Sequence, residues 1–400
     1  MRKLLSLGFL IPVLMLAIAG ISTMSIGLAR VAVPSGAHDK QPAASPHFSA
    51  RVIPDTLSTT WVNLIPSGTS PAARAQASAI YDPTSDDMTI FAGCGSGFCL
   101  NDVWVLSNAD GHSPATWVQL NPVGGPPSPR GEQSSVYDPG TNSMIMFGGN
   151  THEGFCDGAA NDVWALTGAN GFGTPAWTQL NPTGTLPGRR NAHSAVYDVT
   201  TNRMIVFGGI DACGQNGYYN DVWVLSNANG VGATPHWTQL AVTGTPPAAR
   251  AGQSAVYDPN TNRMIVFGGG NDSNAFSDVW VLSDANGLAV GGSPHWTPLS
   301  PTGSPGVRAG HTAVYDAETD KMFAFGGPSP GSNDVWALAH ASGLGRASSW
   351  HQVTPTGGPP APRANHTAVF YNPARHRMTI FSGSDGATLL NDVWVLTGVH

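Results

Sequence analysis

Short apolar runs and turn-forming residues follow one another in a fixed order from Trp61 to the end of the chain. The stretch that begins at Arg250 shows this order, with RAGQSAVYD, RMIVFGG, SDVWVL and HWTQL in succession. Each run has the length and the β-branched or aromatic content of a strand, and the DPNTN and GG segments have the composition of turns. The pattern therefore predicts a unit of four short strands.

The unit recurs with a period near 58 residues. NDVW or SDVW marks each third strand, with its tryptophan at Trp104, Trp164, Trp223, Trp280, Trp336 and Trp394. A second series marks the fourth strands, at Trp61, Trp117, Trp177, Trp237, Trp296 and Trp350, and the two series account for all 12 tryptophans. This period is close to that of propeller blades. The nearly continuous apolar runs of the second and third strands are expected where neighbouring blades cover both faces of each sheet.

The two ends of the repeat region complement each other. Thr60–Leu64 has the pattern of a fourth strand, whereas the last predicted strand, at residues 392–396, has that of a third. Pairing these two strands would complete the sixth blade and cover an exposed sheet edge. The sequence therefore predicts a ring of six blades that is closed by the N-terminal strand.

Two polar features recur in every unit and are interpreted as structural. The Asn-Asp pair of NDVW is expected to close the loop that precedes it through side-chain hydrogen bonds to the backbone. An arginine opens each first strand, where it could bind backbone carbonyls or an aspartate, or else line a channel that binds anions. We favour the structural role for these residues, which are Arg74, Arg130, Arg190, Arg250, Arg308 and Arg363.

These residues carry a family resemblance. The order Arg308-Ala309-Gly310-His311, Phe325-Gly326-Gly327, Asp334-Val335-Trp336 and Trp350 resembles the Kelch repeat, and the resemblance extends over residues 60–400. It implies an all-β, six-bladed Kelch-like β-propeller with four-stranded antiparallel blades. Propellers that resemble it include protein-binding modules, secreted carbohydrate-acting proteins and copper radical oxidases, so the fold alone does not decide the function. The diglycine departs from the pattern at Ala92-Gly93 and Ser382-Gly383.

Composition and charge narrow the choice of partner. Charged residues make up 11% of the chain and hydrophobic residues 41%, which favours a folded protein over a disordered one. Glycine (49) and proline (32) are abundant, as expected for a protein with many turns and little helix. The net charge is −7 and no block of basic residues occurs, so nucleic acid is not expected as a partner.

The N-terminus has the pattern of a targeting segment. Arg2 and Lys3 precede an uncharged stretch that extends from Leu4 to Ala29, which fits either a cleaved signal peptide or a retained signal anchor. Residues 30–58 are rich in Pro, Ala and Ser and are predicted to be a flexible linker, followed by the propeller at residues 59–400. We therefore expect a secreted or cell-envelope protein, without membrane contact other than an N-terminal anchor.

Four cysteines in an exported protein suggest two disulfide bonds. Cys94 and Cys99 are close enough in one loop to form a bridge. Cys156 and Cys213 occupy equivalent loops of neighbouring blades. Among the three pairings that four cysteines allow, reach favours 94–99 with 156–213.

The centre of the ring offers little catalytic chemistry. Three positions after the repeated arginines stand Ala77, Gln133, His193, Gln253, His311 and His366. The even angular spacing of blades argues against a metal site built from the three histidines. The cysteines lie in variable loops, which argues against the tyrosine–cysteine chemistry of copper radical oxidases. We predict no catalytic residue, no metal and no cofactor, and a non-catalytic role is favoured over a carbohydrate-acting enzyme.

The positions that break the repeat are the candidates for binding. The loops between second and third strands read CGSGFCL, NTHEGFCDGAA, IDACGQNGYY and GNDSNAF in the first four units. Variable loops on a rigid scaffold often carry binding residues, although tolerated surface variation would give the same pattern. We predict a monomer that binds a protein or a glycan, and the candidate residues are Phe98, Glu153, Phe155, Asp211, Tyr218, Tyr219, Asp272 and Phe276.

Overall fold

The computed structural model describes residues 58–151, 158–211, 217–288, 292–327, 332–371 and 375–399. The chain divides at residue 49, and all the described residues belong to the unit at 49–400. These residues form strands and turns, and none of them belongs to a helix long and apolar enough to cross a membrane.

The strands of the described residues form six sheets, which are the blades of a β-propeller. Blade 1 contains β2 (Ser78–Asp82), β3 (Asp87–Phe91), β4 (Val103–Ser107) and β5 (Thr116–Leu120). Blade 2 contains β6 (Ser134–Asp138), β7 (Ser143–Phe147), β8 (Val163–Thr167) and β9 (Ala176–Leu180). Blade 3 contains β11 (Ser194–Asp198), β12 (Arg203–Phe207), β13 (Val222–Ser226) and β14 (His236–Gln239).

The remaining blades have the same antiparallel order. Blade 4 contains β15 (Ser254–Asp258), β16 (Arg263–Phe267), β17 (Val279–Ser283) and β18 (His295–Leu299). Blade 5 contains β19 (Thr312–Asp316), β20 (Lys321–Phe325), β21 (Val335–Ala339) and β22 (Ser349–Val353). Blade 6 contains β23 (Thr367–Tyr371), β24 (Arg377–Phe381), β25 (Val393–Thr397) and, as its outer strand, β1 (Thr60–Leu64).

The N-terminal strand closes the ring, as the sequence predicted. β1 pairs antiparallel with β25, and the register matches Thr60 to Thr397 and Leu64 to Val393. The outer edge of the last third strand is thereby hydrogen-bonded, so closure removes an edge that could pair with another chain.

A short parallel contact links each fourth strand to the blade before it. β10 (Thr183–Gly184) pairs parallel with β14 and forms a fifth strand on the sheet of blade 3. Single bridges of the same kind join Ser67 to Thr116, and Val123 to Ala176. β10 is therefore one instance of a contact by which the segment leaving one blade reaches the outer strand of the next.

The hydrophobic core lies between the blades rather than within them. The tryptophan of each fourth strand packs on the phenylalanine that ends the second strand of the preceding blade, with ring centroids 4.8 to 5.1 Å apart. Trp237 on Phe147 is one such pair, and Trp61 on Phe325 is another. The opposite face of each sheet packs on the following blade, as Val222 and Val224 do. Both faces are thus covered, which explains the continuous apolar runs.

The repeated arginines are buried in ion pairs inside their own blades. Each side chain is 0 to 3% exposed and binds the aspartate of NDVW or SDVW at 2.6 to 3.2 Å. In blade 1, Arg74 also donates to the carbonyl of Ala92, and the carboxylate of Asp102 accepts from the indole of Trp104. Although burial raises the pKa of Asp102, the guanidinium holds it below its ordinary value. These arginines are not available to a ligand in the channel.

The first-to-second and third-to-fourth connections lie together at one edge of the ring, which we call the turn rim. In blades 2, 3 and 4 an asparagine with positive φ donates to a second asparagine of the same blade, as Asn142 does to Asn170 at 2.6 Å. The second asparagine then donates to the aspartate that ends the first strand of the preceding blade, as Asn170 does to Asp82 at 2.7 Å. Side-chain hydrogen bonds therefore join these blades.

Blade 1 has two acids at these positions, Asp86 and Asp110. Asp86 has φ 60° and accepts hydrogen bonds from the Tyr81 hydroxyl at 3.0 Å and from the Asp110 amide at 3.2 Å. Arg375 of blade 6 binds the Asp110 carboxylate at 2.7 Å. Burial, together with the neighbouring Asp110, raises the pKa of Asp86 to about 8. Asp86 is therefore largely protonated at neutral pH, beside the Asp110 carboxyl group that Arg375 binds.

Candidate functional site

The loops between second and third strands share the opposite edge, the loop rim, with the segments that lead into each first strand. The asparagine of NDVW joins the end of such a loop to the segment that leads into the next first strand. Its amide donates to a proline carbonyl of that segment, as Asn101 does to Pro127 at 3.1 Å. The sequence predicted that this asparagine closes the preceding loop, and that prediction is wrong for its side-chain amide. The amide instead fixes the segment that connects the fourth strand of one blade to the first strand of the next.

Two of the candidate aromatic residues cover buried arginines. The ring of Tyr219 lies 4.2 Å from the guanidinium of Arg190, and the ring of Phe276 lies 4.2 Å from that of Arg250. Both rings are half-buried. A cation–π contact of this kind stabilises the blade, so these two rings have a structural role in addition to any role in binding.

Tyr218 and Asp272 bridge neighbouring blades at the loop rim. The Tyr218 hydroxyl donates to Asp272 Oδ1 at 2.8 Å, and burial together with this carboxylate raises the pKa of the tyrosine. Asp272 is exposed and Asp211, in the loop of blade 3, is half-buried. The structure thus brings Tyr218 and Asp272 together, on the third and fourth blades.

Phe98 stands apart on blade 1. Its side chain is 66% exposed and lies in the loop that a disulfide bond between Cys94 and Cys99 closes. The loop borders a cavity of about 290 Å³. This disulfide-closed loop therefore presents an aromatic ring to solvent.

Several predicted positions lie outside the described residues. They are Glu153, Phe155, Cys156 and Cys213. The predicted pairing of Cys156 with Cys213 stays a prediction.

The channel mouth at the loop rim is formed by a closed ring of backbone hydrogen bonds. Two residues after each repeated arginine, an amide donates to the equivalent carbonyl of the preceding blade, at 2.7 to 3.0 Å. The ring runs through Gln76, Glu132, Ala192, Gly252, Gly310 and Asn365. All six have φ between 50° and 67°, a left-handed conformation that glycine adopts most readily. Four of them nevertheless carry a side chain.

The next residue in each blade joins neighbouring blades beneath this ring. His193 Nε2 is bonded to the Ser134 hydroxyl at 2.7 Å, and His311 and His366 make the same contact to Ser254 and Thr312. Gln133 and Gln253 instead donate to a serine hydroxyl and a backbone carbonyl of the preceding blade. Burial and the nearby arginines lower the pKa of His193 and of His311 to about 3, so these imidazoles are neutral.

Blade 1 has Ala77 at this position, and the preceding blade compensates for the difference. A Cβ at Gly148 would lie 3.1 Å from Cε1 of His193, so a histidine requires glycine opposite it. Opposite Ala77 the diglycine becomes Ser382-Gly383, and Ser382 is fully buried with φ 65°. Because blade 1 has no imidazole at this position, the preceding blade can carry a serine where the others carry glycine, which accounts for one departure from the repeat.

Glu132, Gln76 and Asn365 line a cavity of about 140 Å³ at the channel mouth, together with the three histidines and the small residues of blades 3 to 5. Gln76 Nε2 donates to Glu132 Oε1 at 2.6 Å, and burial raises the pKa of Glu132. The sequence analysis considered the residue three positions after each repeated arginine and did not identify these three residues, which lie two positions after it. Their signal in the sequence is that they stand where blades 4 and 5 have glycine. In the described part of the chain, no three His, Cys, Asp or Glu side chains are placed to hold a metal ion.

The fold and these contacts define the class of protein, a six-bladed β-propeller of Kelch type. The chain matches the family described as the KLHDC2/KLHL20/DRC7 Kelch-repeats domain over residues 30–171, 171–287 and 291–399. These matches cover most of the chain, which therefore belongs to the Kelch-repeat family.

Similar proteins are eukaryotic and longer than this chain. The chain is 30% identical over 288 residues to putative adagio-like protein 2 of Oryza sativa subsp. japonica. The aligned region covers 67% of this chain and 40% of that protein. It is 31% identical over 250 residues to adagio-like protein 3 of the same plant, and this alignment covers 61% of this chain and 36% of that protein. It is 28% identical over 209 residues to tip elongation aberrant protein 1 of Schizosaccharomyces pombe, and this alignment covers 52% of this chain and 17% of that protein. The chain therefore spans less than half the length of these relatives.

Proposed function

We propose that this protein is an exported, non-catalytic scaffold that binds a protein ligand at the loop rim. The proposal rests on one observation, which is that the blades differ mainly in the loops between their second and third strands. The strands, the arginine–aspartate pairs and the inter-blade tryptophans recur around the ring, whereas the loops between second and third strands differ in length and in residue type. Kelch propellers commonly mediate protein interactions, which supports a protein as the ligand.

The two rims offer different surfaces. On the turn rim, several polar side chains are engaged in hydrogen bonds between blades, as described for Asn170 and Asp82. The loop rim exposes Phe98 and Asp272, and it surrounds the channel mouth with its largely buried carboxyl group. Exposed side chains on a rigid frame bind at a low entropic cost, which favours the loop rim.

A glycan is the second candidate ligand. An exposed aromatic ring can stack on the face of a sugar, and Phe98 is 66% exposed beside a loop cavity. A binding screen of secreted and cell-surface proteins and of glycans, with the purified propeller, would distinguish the two ligand classes.

Two matched triple variants test which rim binds. Replacement of Phe98, Tyr218 and Asp272 by alanine should weaken binding of any ligand found by at least about tenfold, since a few central residues carry most binding energy. The control replaces Phe172, Val231 and Leu288 of the turn rim, and Phe172 is as exposed as Phe98, at 66%. Both variants should keep the parent circular dichroism spectrum. Loss of binding only in the turn-rim variant would show that the loop rim is the wrong face.

Export is proposed from two features. The uncharged N-terminal stretch has the composition of a leader, and the Cys94–Cys99 disulfide is of a kind that persists in oxidising compartments. Cell fractionation with N-terminal sequencing of the product would distinguish a cleaved signal peptide from a retained anchor, and a reduced cytosolic protein would contradict export.

A further inference from the structure

In the backbone ring at the channel mouth, long polar side chains stand on one side only, while Gln133, His193, Gln253, His311 and His366 line the cavity beneath the ring. Blades 6, 1 and 2 contribute the side chains of Asn365, Gln76 and Glu132, whereas blades 4 and 5 contribute glycine and blade 3 contributes the methyl group of Ala192. The absence of side chains on one side leaves room for a ligand, and the other side supplies the groups that would hold it.

The polar side presents three acceptor oxygens, together with the amide nitrogen of Asn365. Gln76 uses its amide nitrogen to bind Glu132 Oε1, which leaves its own carbonyl oxygen as an acceptor. Among the described residues, no donor is bonded to that oxygen, to Glu132 Oε2 or to Asn365 Oδ1. Three acceptors, one of them a carboxylate oxygen, complement a group with three donors and a positive charge, which is the description of an ammonium group.

The charges around the cavity favour a cation. The repeated arginines are neutralised by the aspartates of their own blades. The other titratable groups that line the cavity are His193, His311 and His366, whose pKa values burial lowers, so they add no positive charge at neutral pH. A cation that entered would therefore meet one carboxyl group and no competing charge.

We infer that the channel mouth binds the ammonium group of a lysine side chain that protrudes from the bound protein. This inference deepens the proposed function, because it assigns one anchor residue to the protein ligand. The cavity also has room for such a group, since its volume of about 140 Å³ admits several groups the size of a water molecule.

The position of Glu132 makes a direct test practical. The sequence contains three glutamates, which are Glu132, Glu153 and Glu318. Protein labelled with ¹³C at the glutamate carboxyl carbon should therefore give three signals, and Glu132→Gln should remove one of them. Glu318→Gln is the matched control, because Glu318 lies in the turn between β19 and β20, on the other rim.

The probe is Nα-acetyl-lysine N-methylamide, and the controls are the norleucine and arginine analogues. Burial raises the pKa of Glu132 and a bound ammonium group should lower it, so binding should move the Glu132 signal in a saturable way. The norleucine analogue should leave the signal in place and the arginine analogue should bind more weakly. Glu132→Gln should weaken binding of the lysine amide by about tenfold or more, and Glu318→Gln should not change it.

Two further variants preserve the fold while changing the site. Gln76→Gly and Asn365→Gly each introduce the residue that blades 4 and 5 already use at this position, and each should weaken binding severalfold. An unshifted Glu132 signal in the folded parent protein, or equal binding of the three analogues, would overturn the inference. A protein screen without any ligand would contradict the proposed function but would leave the lysine amide result standing, so the two failures can be told apart.

Discussion

The replacement of Asp86 by asparagine should stabilise the protein, and the gain should grow with pH. Blades 2, 3 and 4 have asparagine at the equivalent position, also with positive φ, and its amide donates to the facing side chain at 2.6 to 2.8 Å. In blade 1 the facing residue is Asp110, so Asp86 keeps its proton in the folded state. The amide introduced by Asp86→Asn would donate to the Asp110 carboxylate without needing a proton, which restores the arrangement of the other blades.

The pH dependence follows from the raised pKa of Asp86. An unfolded aspartate ionises near pH 4, whereas burial and Asp110 raise the pKa of Asp86 in the folded protein to about 8. Below about pH 4 both states are protonated. Between about pH 4 and pH 8 the unfolded state ionises first, so the parent protein loses stability at up to about 1.4 kcal/mol per pH unit. The variant has no such loss, so its advantage should increase by about 1 to 3 kcal/mol from pH 5 to pH 7.

Urea unfolding at pH 5, 6, 7 and 8 measures this difference. Asp284→Asn is the matched control, since Asp284 also lies in a turn-rim turn, has φ 52° and undergoes the same chemical substitution. Its free energy of unfolding should follow that of the parent protein within about 0.5 kcal/mol at every pH. A constant difference between Asp86→Asn and this control across the pH series would refute the assignment of a proton to Asp86.

Two further substitutions test the packing at the closing blade and the relation between positions 77 and 382. Trp61→Ala should cost about 3 to 5 kcal/mol, because Trp61 is 2% exposed and packs on Phe325 across the closing blade, whereas Val118→Ala on an outer strand, 50% exposed, should cost less than about 0.5 kcal/mol in the same denaturation assay. Ala77→His alone should destabilise the protein by about 1 to 3 kcal/mol, because the imidazole meets the Ser382 side chain. Combined with Ser382→Gly, it should gain the contact that His193 makes elsewhere, so a double-mutant cycle should show a favourable coupling of about 1 kcal/mol or more. Additive effects would contradict the compensation between these two positions.

The architecture could be predicted because its determinants are local and repeated. Turn residues, strand lengths and the two tryptophan series recur in each unit, and the strand types at the two ends specified the closure that β1 and β25 form. The prediction for the asparagine of NDVW was wrong because its partner is a proline 26 or 27 residues later, or Pro71 in the case of Asn391, and sequence spacing alone does not show that contact.

The channel mouth could not be predicted for a different reason. Glu132 and Gln76 are 56 residues apart and meet only because the backbone ring brings six left-handed residues to one axis. The roles of Tyr219 and Phe276 were also hidden, since each depends on which buried arginine lies beneath the ring. The repeat gives the position of these side chains within each unit, but it does not show which side chains of other blades they face.

The closure by β1 also sets the order in which the protein can be completed during its synthesis. Thr60 and Thr397, which end up paired, are 337 residues apart in the chain. At a synthesis rate of roughly 5 to 20 residues per second, β1 waits about 17 to 70 seconds for its partner. During that time the interface that Trp61 will fill is absent, so the last blade cannot form early. The export proposed above would benefit from this delay, since the ring cannot close until its final strand is available.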